Sequence, residues 1–89
     1  MLAVDIPQEF ILKYIERRKT DLESCEQALK SKDFDAIARL GHQIKGNAAS
    51  FGFDDLGTIA IDMEAFALKH DEENLNKVMN RFNQFLATH

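Results

Sequence analysis

The amino-acid sequence predicts an all-α fold, an antiparallel four-helix bundle with up-down topology and an N-terminal helical extension. Apolar residues recur at intervals of three and four in four stretches, which is the spacing of one helix face. The chain contains one Pro and four Gly, and no strand-like alternation is sustained. Short connections make successive helices antiparallel neighbours, so the four helices are expected to form a bundle.

Length and composition are those of a small globular domain. The 89 residues have room for one domain, 1–89, and 45% of them are apolar and 29% charged. A net charge of −4 does not support nucleic-acid binding. The sequence lacks a long apolar run and a basic leader, so we expect a cytoplasmic protein that does not span a membrane. The only cysteine, Cys25, cannot form an intramolecular disulfide and is expected to be a buried, inert thiol.

The first helix is predicted to begin near Pro7, a residue suited to the first turn. One apolar stripe follows, interrupted by Arg18, so we expect a bend or break near residues 17–21. The stripe consists of Ile11, Ile15, Leu22, Cys25 and Leu29. Phe10 and Tyr14 add a second apolar line beside it. This line either closes the open end of the bundle or forms an apolar docking patch.

The second helix is predicted to begin after Asp33, a suitable N-cap, and to end near Gly52, a C-terminal glycine signal. Its apolar stripe recurs at intervals of 3, 4, 3, 4 and 3 residues. The stripe consists of Phe34, Ile37, Gly41, Ile44, Ala48 and Phe51.

The third helix is predicted to be capped by Asp54 or Asp55, and the fourth helix to follow Asp71. Each has one apolar face. In the third helix this face consists of Leu56, Ile59, Ala60, Met63, Phe66 and Ala67. In the fourth it consists of Leu75, Val78, Met79, Phe82, Phe85 and Leu86.

The second helix also carries the candidate functional residue, His42. It lies one position off the apolar stripe, and Lys45 and Gly46 are its neighbours at the third and fourth positions. Because helical side chains lean toward the N-terminus, residue 46 would project over residue 42, and a glycine there leaves the ring uncovered. Lys45 places an ammonium group beside the ring, suited to a bound anion. Gly41 lies on the stripe, where close helix packing best explains it.

The run His42-Gln43-Ile44-Lys45-Gly46, followed by Ala48, Phe51, Gly52 and Leu56, resembles the signature of histidine-containing phosphotransfer (HPt) domains. The run Ser50-Phe51-Gly52-Phe53 and the pair Met63-Glu64 are similar to the phosphotransfer domain of chemotaxis histidine kinases. Three positions depart from these patterns. Gly41 replaces a common Ala, Asn47 replaces a small residue, and Ile61 stands where the chemotaxis type has a second histidine. The Ile61 side chain has no hydrogen-bonding group and cannot take the place of that histidine in the extended hydrogen-bond network of that type.

The resemblance implies a phosphorelay carrier that exchanges a phosphoryl group between Nε2 of His42 and the aspartate of a response-regulator receiver domain. Lys45 would stabilise the phosphoryl oxygens, and Glu64 would accept the other ring N–H of His42. A receiver domain or a hybrid sensor histidine kinase is the expected partner, and Mg²⁺ is expected on the receiver. We expect a monomer with no cofactor or metal of its own. The sequence contains no nucleotide-binding loop, so no autonomous kinase activity is expected.

Alternatives remain open at this point. Gly46 could instead permit close packing, and Glu64 could be an ordinary exposed residue. Gln43, Asn47 and Ser50 could line a docking face or be ordinary polar surface. The whole domain could bind a receiver or kinase without carrying phosphate. A phosphohistidine phosphatase or metal hydrolase is a third reading, but no paired acid and base is apparent, and His42, His70 and His89 lack metal-ligand spacing.

Overall fold

The structure, a computed structural model, describes residues 6–89 and consists of four helices. They are α1 (Gln8–Lys30), α2 (Phe34–Ala48), α3 (Asp54–Leu68) and α4 (Glu72–Ala87). A short 3₁₀ turn, Ala49–Phe51, follows α2. No strand occurs among the residues described, so the predicted all-α class is confirmed. The first five residues of the predicted domain 1–89 lie outside the described residues.

The helices pack as an up-down bundle in which each contacts its neighbours in the chain and α4 closes against α1. Two contacts show the antiparallel order. Near the start of α1, Tyr14 stacks on Phe51, just beyond the end of α2, with ring centroids 4.1 Å apart. After the end of α1, Lys32 pairs with Glu72 at the start of α4. The predicted topology is therefore confirmed.

The helical period predicts most of the core, although four residues of the predicted stripes are only partly buried: Ile11, Phe34, Phe51 and Phe66. The largest fully buried side chains come from all four helices, and all but Cys25 belong to α2, α3 or α4. They are Phe82, Ile37, Ile44, Leu56, Met63, Leu75, Val78 and Cys25. Burial raises the pKa of the Cys25 thiol to about 12, so the thiol is protonated at neutral pH.

The predicted N-caps of α2 and α4 are confirmed, whereas the predicted cap of α3 is wrong. The α-helix α2 ends at Ala48, and Gly52 ends the 3₁₀ turn that follows it. Asp33 and Asp71 each accept the backbone N–H three residues later, at 3.2 Å. Gly52 has a φ of 81°, the left-handed conformation that glycine adopts without strain. The N-cap of α3 is Phe53, with no side-chain bond to the helix, and Asp54 and Asp55 lie in the first turn.

Packing accounts for this start of α3. The Phe53 ring lies edge-on against Phe85 at 5.4 Å and stacks near Tyr14 at 5.9 Å. These contacts anchor the residue before the helix in the aromatic end of the bundle. Asp54 and Asp55 still place negative charge at the positive end of the helix dipole.

The predicted break near residues 17–21 is wrong, because α1 is continuous from Gln8 to Lys30. Arg18 is buried, yet its charge is compensated within the bundle. Its guanidinium lies over the Tyr14 ring at 4.5 Å, and Nε pairs with Asp21 at 2.8 Å. Nη1 also donates to Oδ1 of Asn47 on α2, at 3.3 Å. Among residues 6–89, the predicted N-terminal helical extension corresponds to the first, largely exposed turns of α1.

Candidate functional site

The His42 ring projects from the middle of α2 into solvent. Its side chain is 68% exposed, although Gly41 and Ile44 on the same helix are buried. The backbone that carries the ring is thus held in the α2–α3 interface while the ring itself stays accessible. A rigid helix with an exposed side chain suits a group that must meet a large partner.

Glu64 on α3 brings the two basic side chains of α2 together. Its Oε2 lies 3.2 Å from Nδ1 of His42, and its Oε1 accepts a hydrogen bond from Nζ of Lys45 at 2.9 Å. The carboxylate is only 23% exposed, so it lies at the edge of the helix interface. One carboxylate therefore contacts both the imidazole and the ammonium group.

The charge of this carboxylate is stabilised in the folded protein. The hydrogen bond from Lys45 lowers the pKa of Glu64, and the positive charge of Lys45 and the nearby His42 add to that effect. Glu64 is thus ionised at neutral pH and can accept the Nδ1–H of His42. Such a contact would keep the proton on Nδ1 and leave Nε2 as the nitrogen with a free lone pair.

The two glycines beside His42 lie in different environments. A Cβ built on Gly41 would lie 2.9 Å from the backbone N of Glu64 and 3.0 Å from the carbonyl O of Ala60. A Cβ on Gly46 would have no heavy atom within 4 Å. Gly41 therefore allows close packing of α2 on α3, and Gly46 has open space where a side chain would lie.

A separate groove lies between α1 and α2. Phe10, Lys13, Arg17 and Gln43 line it, and the Phe10 side chain is 51% exposed. Tyr14 differs from Phe10: it is 5% exposed, and its hydroxyl donates to Oδ1 of Asn47. The two aromatic residues considered together in the sequence therefore occupy different environments. Ser50 and Gln43 are exposed, and Asn47 is half-buried beneath the groove.

The Tyr14–Asn47–Arg18 network has only a partial sequence signal. Arg18 is four residues after Tyr14 and three before Asp21, which are helical contact spacings within α1. Asn47 comes from another helix, so no local pattern indicates that its amide oxygen accepts from both residues. Burial raises the pKa of the Tyr14 hydroxyl, which therefore stays protonated and available as a donor.

The other histidines are used in packing. His70 stacks on Phe34, and His89 stacks on Phe85, with ring centroids 4.5 Å and 4.1 Å apart. Within residues 6–89, no group of three or more His, Cys, Asp or Glu side chains is arranged to hold a metal ion. None of the four helices has the length and apolar character needed to cross a membrane in the part of the chain described.

Comparison with known proteins identifies the family. The Hpt domain profile matches residues 9–88, which is nearly the whole chain. No curated protein and no solved structure gave a significant match. The family match covers all four helices and the exposed His42 with its neighbours. The chain therefore belongs to the Hpt domain family, the histidine-containing phosphotransfer domains of two-component phosphorelays.

Proposed function

We propose that His42 is the phosphoacceptor of this Hpt domain and exchanges its phosphoryl group with the aspartate of a response-regulator receiver domain. Domains of this family are phosphocarriers that work with receiver and kinase domains and are not autonomous kinases. The observation that carries the proposal is the exposed ring of His42, whose Nδ1 lies against Glu64. Nε2, on the opposite side of the ring, is then directed away from the carboxylate and is the reacting atom.

The chemical step is an in-line displacement at phosphorus. The Nε2 lone pair attacks the aspartyl phosphate of the receiver, an N–P bond forms, and the P–O bond to the aspartate breaks. The aspartate leaves as a carboxylate, and the reverse step returns the phosphoryl group. The proton stays on Nδ1 of His42, which donates it in a hydrogen bond to the Glu64 carboxylate. The carboxylate stabilises the positive charge that develops on the ring. Mg²⁺ held by the receiver would balance charge on the transferring oxygens.

Lys45 is proposed to stabilise the phosphoryl oxygens on His42. Its side chain is 39% exposed and is held by Glu64 one helical turn from the ring. An ammonium group on a flexible stem can reorient toward a new anion while it stays near the carboxylate. Gly46 leaves the approach to the ring open, as the absence of any atom within 4 Å of its built Cβ supports.

The docking surface is proposed to surround His42 on the α1 and α2 side. Phe10, Gln43 and Ser50 are exposed and available for direct contact with a receiver. Tyr14 and Asn47 support this surface from below, because the hydroxyl of one donates to the amide oxygen of the other. An exposed apolar side chain such as Phe10, surrounded by polar residues such as Gln43 and Ser50, is typical of a transient interface.

The proposal is tested by incubating the protein with phosphorylated receivers and Mg²⁺ and measuring its intact mass. We expect a gain of about 80 Da from one phosphoryl group. The N–P bond that holds this group should be labile in acid and stable in alkali. His42→Gln should abolish the gain. The matched controls, His70→Gln and His89→Gln, should retain it, because both rings are used in packing.

Two results would contradict the proposal. Phosphate that persists in His42→Gln would place the acceptor elsewhere in the chain. Receivers that bind the wild-type protein without transferring phosphate would instead support a docking module that carries no phosphate.

A further inference from the structure

We infer that Gly41 is a positioning residue, whose missing side chain sets the α2–α3 separation at which Glu64 contacts both His42 and Lys45. The inference rests on the proposed function of His42, because it concerns the orientation of that ring. It assigns a role in phosphotransfer to a residue that cannot contact phosphate or partner itself, since Gly41 is buried in the helix interface.

The contact at Gly41 is between backbones. A Cβ at this position would lie 2.9 Å from N and 3.3 Å from Cα of Glu64, and 3.0 Å from the carbonyl O of Ala60. None of these atoms belongs to a side chain, so no rotamer change could relieve the overlap. Any side chain at residue 41 would require α3 to move away from α2.

The required movement is large enough to affect the site. Restoring an ordinary contact of 3.4 Å to the atom at 2.9 Å requires a retreat of about 0.5 Å. The Nδ1–Oε2 distance between His42 and Glu64 is already 3.2 Å. If α3 moved away by the same amount along the line between these two atoms, their separation would exceed the range in which a hydrogen bond is effective. Lys45 has a long flexible stem and can follow the carboxylate, whereas the His42 ring has only two side-chain torsions.

Other helical glycines do not share this property. A Cβ on Gly57, on α3, would meet only the Cβ of Ala48 at 3.9 Å, which is an ordinary contact. A Cβ on Gly46 would meet nothing within 4 Å. Gly57 faces α2 and yet has room for a methyl group, so it provides a matched control for the same substitution.

The test compares Gly41→Ala with Gly57→Ala by two measurements. Nitrogen-15 NMR of the neutral His42 ring reports whether the proton is on Nδ1 or Nε2, and a receiver assay reports the phosphotransfer rate. In the wild-type protein we expect the Nδ1–H form to predominate. Gly41→Ala should shift the ring toward the mixture of Nδ1–H and Nε2–H forms that a free histidine has, and it should slow phosphotransfer about tenfold. Gly57→Ala should change neither measurement by more than about twofold.

A double variant distinguishes positioning from a general loss of stability. If Gly41 acts through Glu64, then Gly41→Ala should have no further effect on the ring or the rate in a Glu64→Gln background. Independent, additive effects of the two substitutions would overturn the inference. A wild-type ring without a preference for Nδ1–H would overturn it as well.

A second variant covers the case in which Gly41→Ala does not fold. Glu64→Asp withdraws the carboxylate by one methylene group without altering the backbone contact. It should reproduce the shift in ring protonation, and an unchanged ring would overturn the inference. Because ring protonation is measured without a phosphate donor, a lack of transfer in every protein would contradict the proposed function alone. An unchanged ring and rate in folded Gly41→Ala would contradict the positioning role alone.

Discussion

The carboxylate of Glu64 makes the stability of the site depend on pH. Lys45 holds the pKa of this group below its ordinary value, so the folded state favours the charged form. A depressed folded-state pKa contributes stability that is complete above the ordinary glutamate value, about 4.3. That contribution is lost as the pH falls from there through the lowered folded-state value. The loss reflects protonation of the group that contacts both Lys45 and His42.

This dependence is measurable by urea denaturation of the wild-type protein and Glu64→Gln between pH 7 and pH 3. The wild-type protein should be the more stable near neutrality, and the difference should shrink as the pH falls. The pKa of Asp71 is also lowered, chiefly by the hydrogen bond from the Asn74 side chain. Asp71 is present in both proteins, so its titration cancels in the difference. A difference that stayed constant or grew on acidification would contradict the Lys45–Glu64 contribution.

The residues of the site were predictable to different degrees. The neighbourhood of His42, Lys45 and Gly46 follows from counting along one helix, since 3.6 residues per turn fixes which side chains share a face. The proximity of Glu64 to His42 depends on the separation of α2 and α3, which no local pattern gives, and it was expected only from a family resemblance. Arg18 was expected to interrupt α1, because one of the side chains that accommodate it, Asn47, lies 29 positions away on α2.

At the scale of the helix, the N-cap of α2 provides a test of local structure. Asp33 accepts the backbone N–H of Ala36, one of the donors that a helix start leaves unpaired. Asp33→Ala should lower the free energy of unfolding by about 1 kcal/mol. The matched control is Asp54→Ala in the first turn of α3, where the capping residue is Phe53. It should cost less, a few tenths of a kcal/mol from the helix dipole.

Urea denaturation of the three proteins at one pH measures both costs. An equal cost for the two variants would mean that charge at the helix start, and not the specific hydrogen bond to Asp33, provides the stabilisation. A larger cost for Asp54→Ala would mean that Asp54 caps α3 in solution.

The helices themselves were well predicted because their apolar period extends over several turns and their interiors contain few helix-breaking residues. The start of α3 was not predicted correctly. Aromatic packing across the bundle places Phe53 at the N-cap, although Asp54 and Asp55, which follow it, have side chains suited to capping. The continuity of α1 was also missed, because the buried Arg18 is accommodated by Tyr14 and Asp21 on its own helix together with Asn47 on α2.

For the whole molecule, the two aromatic residues in the first turns of α1 allow the proposed recognition role to be tested separately from stability. Tyr14 joins the start of α1 to the C-terminal end of α2 through Phe51 and Asn47. Phe10 lies half-exposed in the groove beside Gln43. The closure of the bundle and the proposed docking surface therefore involve residues only four positions apart. Substituting each residue with alanine should therefore affect a different property: stability for Tyr14 and receiver binding for Phe10.

Tyr14→Ala removes a buried ring and a hydrogen bond, so the free energy of unfolding should fall by about 2–4 kcal/mol. Phe10→Ala should change it by no more than about 0.5 kcal/mol, because the ring is half-exposed. Phe10→Ala should nevertheless weaken receiver binding, measured by titration calorimetry, and slow phosphotransfer. Leu12→Ala on the same helix is the control, since Leu12 is equally exposed but does not line the groove. If Phe10→Ala cost as much stability as Tyr14→Ala, both residues would close the bundle. If it changed neither stability nor binding, Phe10 would lie outside the docking surface.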